Sequence, residues 1–320
     1  MAGASAPKGY SVDGILSFGG LSREQLRNRP ARFSVLPVPY DLTASYISGM
    51  RNGPRAIIEA STHMELYDEE LDAEPWEAGI ETLAQIESTA LGPEEMIKRV
   101  KRASAEIISS GNIPVILGGE HSITLGLVQA LLEKYPDLSV LQLDAHADMR
   151  EEYQDTPFNH ACVARRISEI CPIVQVGIRS LSVEEAEFLK AEKKAGKKAG
   201  TRIKTHYATD VIKGINWETV ARDLSGNICI TVDLDVFDPS IMPATGTPEP
   251  GGLGWYDALG VLRKVISRKN VVGFDVVELC PLPGNIAPDF LAAKLVYKMM
   301  GYVNEAKDKQ GKRRRGKGAA

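Results

Sequence analysis

From residue 93 onwards, short and nearly continuous apolar runs alternate with amphipathic stretches of helical spacing. The apolar runs include "IPVILGG", "LSVLQLDAH", "NICITVDLDV" and "VVGFDVVEL". Strands that are apolar throughout and separated by helices of about three turns are typical of a parallel sheet with both faces covered. We therefore predict an α/β protein with a three-layer α/β/α fold and a mainly parallel sheet.

The same pattern suggests where the folded domain begins and ends. Residues 1–30 show no strong periodicity, and we interpret them as an N-terminal arm; residues 31–306 form the predicted folded domain. Residues 307–320 are a predicted basic, disordered tail with seven Lys and Arg against one Asp. This tail and the Lys-rich segment 190–204, which we place in a loop, lack interleaved aromatic residues, so we expect solvated surfaces rather than nucleic-acid-binding sites.

Composition limits the class of protein further. The sequence is 43% hydrophobic and 25% charged, which is ordinary for a soluble globular chain. No stretch approaches the ~18 apolar residues of a membrane span, and the first residues do not resemble a signal peptide. We expect a cytoplasmic protein that binds neither membranes nor nucleic acid.

Polar residues follow the apolar runs at the points where the strands should end. Ligands in open parallel sheets collect at the carboxyl ends of the strands, so we expect these side chains to meet. They are two histidines and four aspartates, namely His121, Asp144, His146, Asp148, Asp233 and Asp235. If the extended conformation continued through residues 141–150, Asp144, His146 and Asp148 would project from one face of their strand.

Buried charges of this kind need partners, and a metal centre would supply them. Six carboxylate or imidazole ligands exceed what one ion usually needs, whereas two ions bridged by shared aspartates would use them all. The oxygen-rich set favours Mn²⁺, while the imidazoles leave Zn²⁺, Fe²⁺, Co²⁺ or Ni²⁺ as alternatives. Each group alone could be a capping residue or a solvated strand edge; their occurrence together favours the metal site.

Three segments, "GGEHS", "DAHADMR" and "TVDLDVFDPSIMPATGTPEPGGL", resemble the metal-binding motifs of the ureohydrolase (arginase/agmatinase) family. The resemblance extends over roughly residues 31–305. It implies an arginase-like fold, two Mn²⁺ ions per subunit and hydrolysis of a guanidino group by attack of a metal-bound hydroxide. The family pattern also divides the six ligands. It assigns one ion to His121, Asp144, Asp148 and Asp233, and the other to Asp144, His146, Asp233 and Asp235, so that Asp144 and Asp233 bridge.

The resemblance implies roles for residues outside the ligand set. Glu278 in "DVVELCP" matches the carboxylate that binds the guanidinium group, and His160 in "FNHACV" matches a proton-shuttling histidine, although it could simply begin a helix. We predict Glu278, His160 and Asp148 as catalytic residues, and Glu278, His160 and Tyr153 as substrate-binding residues.

Two loops favour agmatinases over arginases within the family. The segment "GIRSLSVEEAEF" carries Ser182 where arginases tend to carry an aspartate, and "PYDLTASYISGMRNGPRAIIEAS" resembles agmatinases. A site without partners for the α-carboxylate and α-amino groups would reject arginine. We therefore expect conversion of agmatine to putrescine and urea, a step of polyamine biosynthesis. The alternatives are guanidinobutyrase, arginase, guanidine hydrolase or a catalytically idle metal-binding relative. Similar proteins imply a homo-oligomer, a trimer or a hexamer.

Overall fold

A computed structural model of the chain describes residues 16–27, 29–199 and 202–317. Eight strands run through it: β1 (Phe33–Val38), β2 (Ile80–Thr82), β3 (Ile113–Gly118), β4 (Ser139–Leu143), β5 (Ile173–Ile178), β6 (Ile203–Tyr207), β7 (Asn227–Asp233) and β8 (Asn270–Val277). All seven strand pairings are parallel, and the order across the sheet is β2-β1-β3-β8-β7-β4-β5-β6. The prediction of a parallel sheet is confirmed.

Ten α-helices accompany the strands in the described ranges. They are α1 (Arg23–Arg27), α2 (Gly53–Ser61), α3 (Pro93–Ser109), α4 (Thr124–Lys134), α5 (Val163–Ile170), α6 (Val183–Ala199), α7 (Ala208–Ile212), α8 (Trp217–Asp223), α9 (Trp255–Arg268) and α10 (Ala287–Lys317). Two apolar cores separate the layers: α2, α8, α9 and α10 pack on one face of the sheet, and α3, α4, α5 and α6 pack on the other. Strands such as β4 are buried at every position because both faces are covered.

Several sequence-based expectations need correction. The Lys-rich segment, placed in a loop, belongs to α6 as far as Ala199, because Ala, Lys and Glu favour helix; residues 200 and 201 lie outside the described residues. The predicted N-terminal arm holds Phe18, which is fully buried, and α1; residues 1–15 and 28 are not described. The three-residue edge strand β2 was not predicted.

The C-terminal helix crosses a predicted boundary. α10 continues through the boundary proposed between residues 306 and 307 and ends at Lys317, so the segment predicted as a disordered tail is helical up to that residue. Residues 318–320 lie outside the described part of the chain, and the domain boundaries themselves stay a prediction. Within the described residues, no helix combines the length and the apolar character needed to cross a membrane.

Candidate active site

Four adjacent strands in the middle of the sheet, β3, β8, β7 and β4, bring polar residues to one edge. His121 follows β3, Asp144 follows β4, Asp233 ends β7 and Glu278 follows β8. Because β8 lies between β3 and β7, Glu278 comes to the middle of the group. This is the carboxyl edge, where ligands of parallel sheets bind.

The first group of contacts surrounds His121, whose side chain is buried. Its Nδ1 atom lies 3.2 Å from Asp144 Oδ2, 3.2 Å from Asp148 Oδ2 and 3.4 Å from Asp233 Oδ2. Among the described residues Nδ1 nevertheless has no hydrogen-bond partner. A buried ring nitrogen that faces three carboxylate oxygens without a hydrogen bond has the donor set of a cation site.

The second group surrounds His146. Its Nδ1 atom lies 2.7 Å from Asp235 Oδ2 and 4.0 Å from Asp144 Oδ1. Asp144 therefore takes part in both groups, and His121, Asp144 and Asp148 on one side, and Asp144, His146 and Asp235 on the other, are close enough to share an ion. The structure thus brings together all six predicted ligands, although their roles stay a prediction.

A row of polar side chains crosses the sheet beneath these groups. Five residues stand in register, one on each of five neighbouring strands: Thr205, Gln175, Gln142, Thr231 and Asp275. His121 Nε2 lies 2.9 Å from Thr231 Oγ1, which donates to Asp275 Oδ1 at 2.6 Å. Gln142 Nε2 donates to Asp144 Oδ2 at 2.7 Å. Because the hydroxyl of Thr231 donates to Asp275, it accepts from Nε2–H, so in a neutral His121 ring Nδ1 is the unprotonated nitrogen.

The cluster holds more negative charge than its own cations balance. Burial, with Asp148 and Asp235 nearby, raises the pKa of Asp144 to about 7. Burial also raises the pKa of Asp233 well above its ordinary value. Burial acts to lower the pKa of His146, but Asp235 raises it to about 11. All three shifts draw protons into the site, and a divalent cation would offset the same charge.

The route by which these side chains meet differs from the prediction. β4 ends at Leu143, and Asp148 has a φ of 51°, so Asp144, His146 and Asp148 do not share the face of one extended strand. Glu278 also has a positive φ, 68°. Non-glycine residues rarely adopt this backbone region, and such residues cluster at functional sites. The loop after β4, rather than the strand, aims the ligands.

A cleft of about 240 Å³ opens on the cluster. Glu278, His160 and Tyr153, the residues predicted to bind substrate, all line it, together with Asp148 and Arg150. Glu278 Oε1 accepts a hydrogen bond from His121 N at 2.6 Å, which fixes the carboxylate at the wall. Burial lowers the pKa of His160, so its imidazole is neutral near pH 7.

Arg150 is a feature of the cleft that was not predicted. Its guanidinium lies 4.9 Å from the centre of the Tyr153 ring and 4.0 Å from Glu185 Oε2. Glu185 is buried and accepts hydrogen bonds from Met149 N and Ser182 N. Each oxygen of Glu185 therefore accepts a hydrogen bond from the backbone, and Arg150 remains a cation in the cleft wall.

The profile of the arginase family matches residues 31–301. The chain belongs to the arginase family. An N(1)-aminopropylagmatine ureohydrolase from Synechocystis sp. is 38% identical to this arginase-family chain over 285 residues, which cover 86% of the chain and 90% of that protein. An agmatinase from Pyrococcus horikoshii is 34% identical over 287 residues, covering 85% of the chain and 92% of that protein.

Solved structures of the arginase family agree with the fold. The crystal structure of agmatine ureohydrolase from Thermoplasma volcanium superposes with a TM-score of 0.80 and 30% identity, and covers 93% of this chain and 97% of the other. The arginase-like fold implied by the sequence motifs is confirmed.

Proposed function

We propose that this arginase-family protein hydrolyses the guanidino group of a linear guanidinoalkylamine, agmatine in the first instance, and releases urea. One observation carries the proposal: the buried Nδ1 of His121, which has no hydrogen-bond partner among the described residues, faces three aspartates. Two of them, Asp148 and Asp233, line a cleft together with Glu278 and His160. A cationic substrate and a cation-dependent hydrolysis both suit such an anionic site.

The residues present fit a pair of divalent ions. His121, Asp144, Asp148 and Asp233 would hold one ion, and Asp144, His146, Asp233 and Asp235 the other, with Mn²⁺ as the proposed metal because oxygen donors predominate. When bound, two such ions lower the pKa of a water molecule and so supply a nucleophile at neutral pH.

The chain's own side chains have separate tasks. Glu278 would pair with the guanidinium group and hold its carbon over the aspartates, since a charge-assisted pair fixes both position and charge. Asp148 would accept a hydrogen bond from the attacking water. The neutral imidazole of His160 would accept a proton from the attacking water and pass that proton to the leaving amine as the C–N bond breaks. Tyr153 would pack beside the alkyl chain of the substrate.

A second candidate substrate is N(1)-aminopropylagmatine. The curated relative with 38% identity carries that name, whereas the agmatinase of Pyrococcus horikoshii is 34% identical. Arg150 favours a substrate that ends in a carboxylate instead of an amine, because a cation in the cleft wall can pair with a carboxylate. Guanidinobutyrate therefore belongs in any substrate test. For the α-amino group of arginine, Ser182 offers no charge, and Glu185 is already held by Met149 N and Ser182 N.

A substrate panel tests the proposal. Urea release is measured with Mn²⁺ for agmatine, N(1)-aminopropylagmatine, guanidinobutyrate and arginine. We expect the kcat/KM for either agmatine or N(1)-aminopropylagmatine to exceed that for arginine by at least about a hundredfold. The α-carboxylate and α-amino charges of arginine would be buried without partners, which gives discrimination of at least that order. A preference for arginine would contradict the loop argument, and no urea from any of the four compounds would contradict the proposed reaction.

The polar row beneath the cluster gives a prediction about metal affinity. Thr231→Val removes the hydroxyl that joins His121 to Asp275. We expect Mn²⁺ affinity to fall by about 10- to 100-fold, as is usual when the hydrogen-bond partner of a metal-binding histidine is removed. Thr231→Ser keeps the hydroxyl and should bind nearly as well as wild type. Isothermal titration with Mn²⁺ checks both variants; equal affinity for valine and serine would mean that packing alone orients the ring.

A further inference from the structure

Thr43 joins His160 to a buried carboxylate that has no part in the proposed reaction. Thr43 Oγ1 lies 3.3 Å from His160 Nδ1 and accepts a hydrogen bond from His160 N at 3.2 Å. On its other side the same hydroxyl donates to Glu120 Oε1 at 2.8 Å. Glu120 is fully buried, and Thr43 is 7% exposed. The three residues come from different places: Thr43 from the loop after β1, Glu120 from the turn after β3 and His160 from the turn before α5.

Glu120 is held as an acceptor by several donors. Its Oε2 accepts from Thr43 N at 2.6 Å, and its Oε1 also accepts from Ser122 Oγ at 2.5 Å. Although burial raises the pKa of the Glu120 carboxyl, its three hydrogen bonds favour the ionised form, which has no proton to give to Thr43. The single hydroxyl proton of Thr43 is therefore directed at Glu120, and its lone pairs are left to accept hydrogen bonds from His160.

This hydrogen-bond direction decides the state of the imidazole. A neutral histidine carries its proton on one ring nitrogen only, and the partner of one nitrogen sets the protonation of the other. We propose that Glu120 and Thr43 are positioning residues that hold neutral His160 as the Nδ1–H tautomer, with the lone pair of Nε2 available to the cleft. The consequence for catalysis, a proton acceptor of fixed orientation, rests on the proposed function; the tautomer itself does not.

A purely structural alternative exists, because Thr43 also lies in a loop that lines the cleft. That loop is held separately at Asp41, which accepts hydrogen bonds from Gly49 N and Arg51 N and pairs with the Arg51 side chain. In addition, the hydrogen bond that Thr43 N donates to Glu120 Oε2 does not depend on the Thr43 side chain, so it remains when valine or serine replaces threonine. Replacing the hydroxyl alone therefore tests the tautomer without releasing the loop.

The experiment compares Thr43→Val, which removes the hydroxyl, with Thr43→Ser, which keeps it. Nitrogen-15 NMR of the histidine rings at pH 8 reports the tautomer, with His160→Ala used to assign the signal, and spectra are recorded with and without diamagnetic Zn²⁺. We expect Nδ1–H in wild type and Thr43→Ser, and a loss of this preference in Thr43→Val. Nε2–H in wild type, or an unchanged tautomer in Thr43→Val, would overturn the proposal.

Kinetics provide a second measurement. If the wild-type protein releases urea, Thr43→Val should lower kcat by about 10- to 100-fold, part of the usual range for acid–base catalysis, with KM changed less than about threefold. In a His160→Ala background the same substitution should have no further effect. An additive loss in that background would contradict action through His160. If no substrate turns over, the proposed function fails while the NMR result still decides the positioning role.

Discussion

Asp144→Asn is expected to lower kcat/KM by at least about a thousandfold, equivalent to roughly 4 kcal/mol of transition-state stabilisation. Asp144 belongs to both groups of side chains that are close enough to share an ion, with Oδ2 near His121 and Oδ1 near His146. An asparagine offers one neutral oxygen where the carboxylate offers two charged ones, so both ions should bind less tightly. Urea release and metal content, measured on the same preparation, check the prediction.

The metal-free form of this variant separates loss of the site from loss of the fold. Removing one buried charge relieves repulsion with Asp148 and Asp235. Gln142 Nε2 and His146 N each donate to one oxygen of Asp144, and in the variant the NH2 group of asparagine would face one of these two donors. We expect these effects to offset each other, so that the Tm stays within roughly 5 °C of wild type. Added Mn²⁺ should raise the Tm of wild type only. The matched control is Asp137→Asn, an exposed aspartate before the amino end of β4; a similar loss there would discredit the assignment.

Glu278→Gln is expected to lower kcat/KM by about 100- to 1,000-fold, a loss of roughly 3–4 kcal/mol, because it removes the charged partner of a buried cation. Glutamine has the same shape, and its carbonyl oxygen can still accept the bond that His121 N gives to Glu278 Oε1. The wall of the cleft should therefore stay in place while its charge is lost. Steady-state kinetics with agmatine measure the effect.

Metal binding distinguishes this variant from Asp144→Asn. Glu278 lies outside both groups of potential ligands, so Mn²⁺ should bind Glu278→Gln with nearly unchanged affinity. Glu133→Gln, an exposed position on α4, serves as the control for the substitution itself. If Glu278→Gln retained full activity, the guanidinium group would have to bind elsewhere in the cleft.

The convergence of residues distant in sequence was predictable because the periodicity of the chain indicates a parallel sheet. Once the strands are parallel, His121, Asp144 and Asp233 must come to one edge, whatever the order of the strands. That order was not predictable, and it matters: β8 lies between β3 and β7, which puts Glu278 in the middle of the group.

The local backbone was predicted less well than the edge. The condition for Asp144, His146 and Asp148 to share one face is not met, because the strand ends at Leu143. Alternation of side chains holds only while φ stays in the β region. Nothing in "DAHADMR" marks Asp148 as a residue of positive φ, since Asp tolerates that conformation but does not require it.

The supporting residues could not be recognised from sequence alone. Gln142, Thr231 and Asp275 are single polar residues inside apolar strands, and that oddity was the available signal. Their meaning depends on strand order and register, which place them side by side under His121 and Asp144. Thr43 gave no signal, because its contact with His160 joins two loops far apart in the chain.

The positive φ angles of Asp148 and Glu278 set protein stability against activity. Each such residue costs of the order of 1–3 kcal/mol that glycine, with no Cβ, would largely avoid. A laboratory selection for thermal stability alone would therefore accept glycine at both positions, and the selected clones would lack two carboxylates of the cleft. Only a selection that also requires turnover would retain them, so these two positions are poor choices for any attempt to make the protein more heat-resistant.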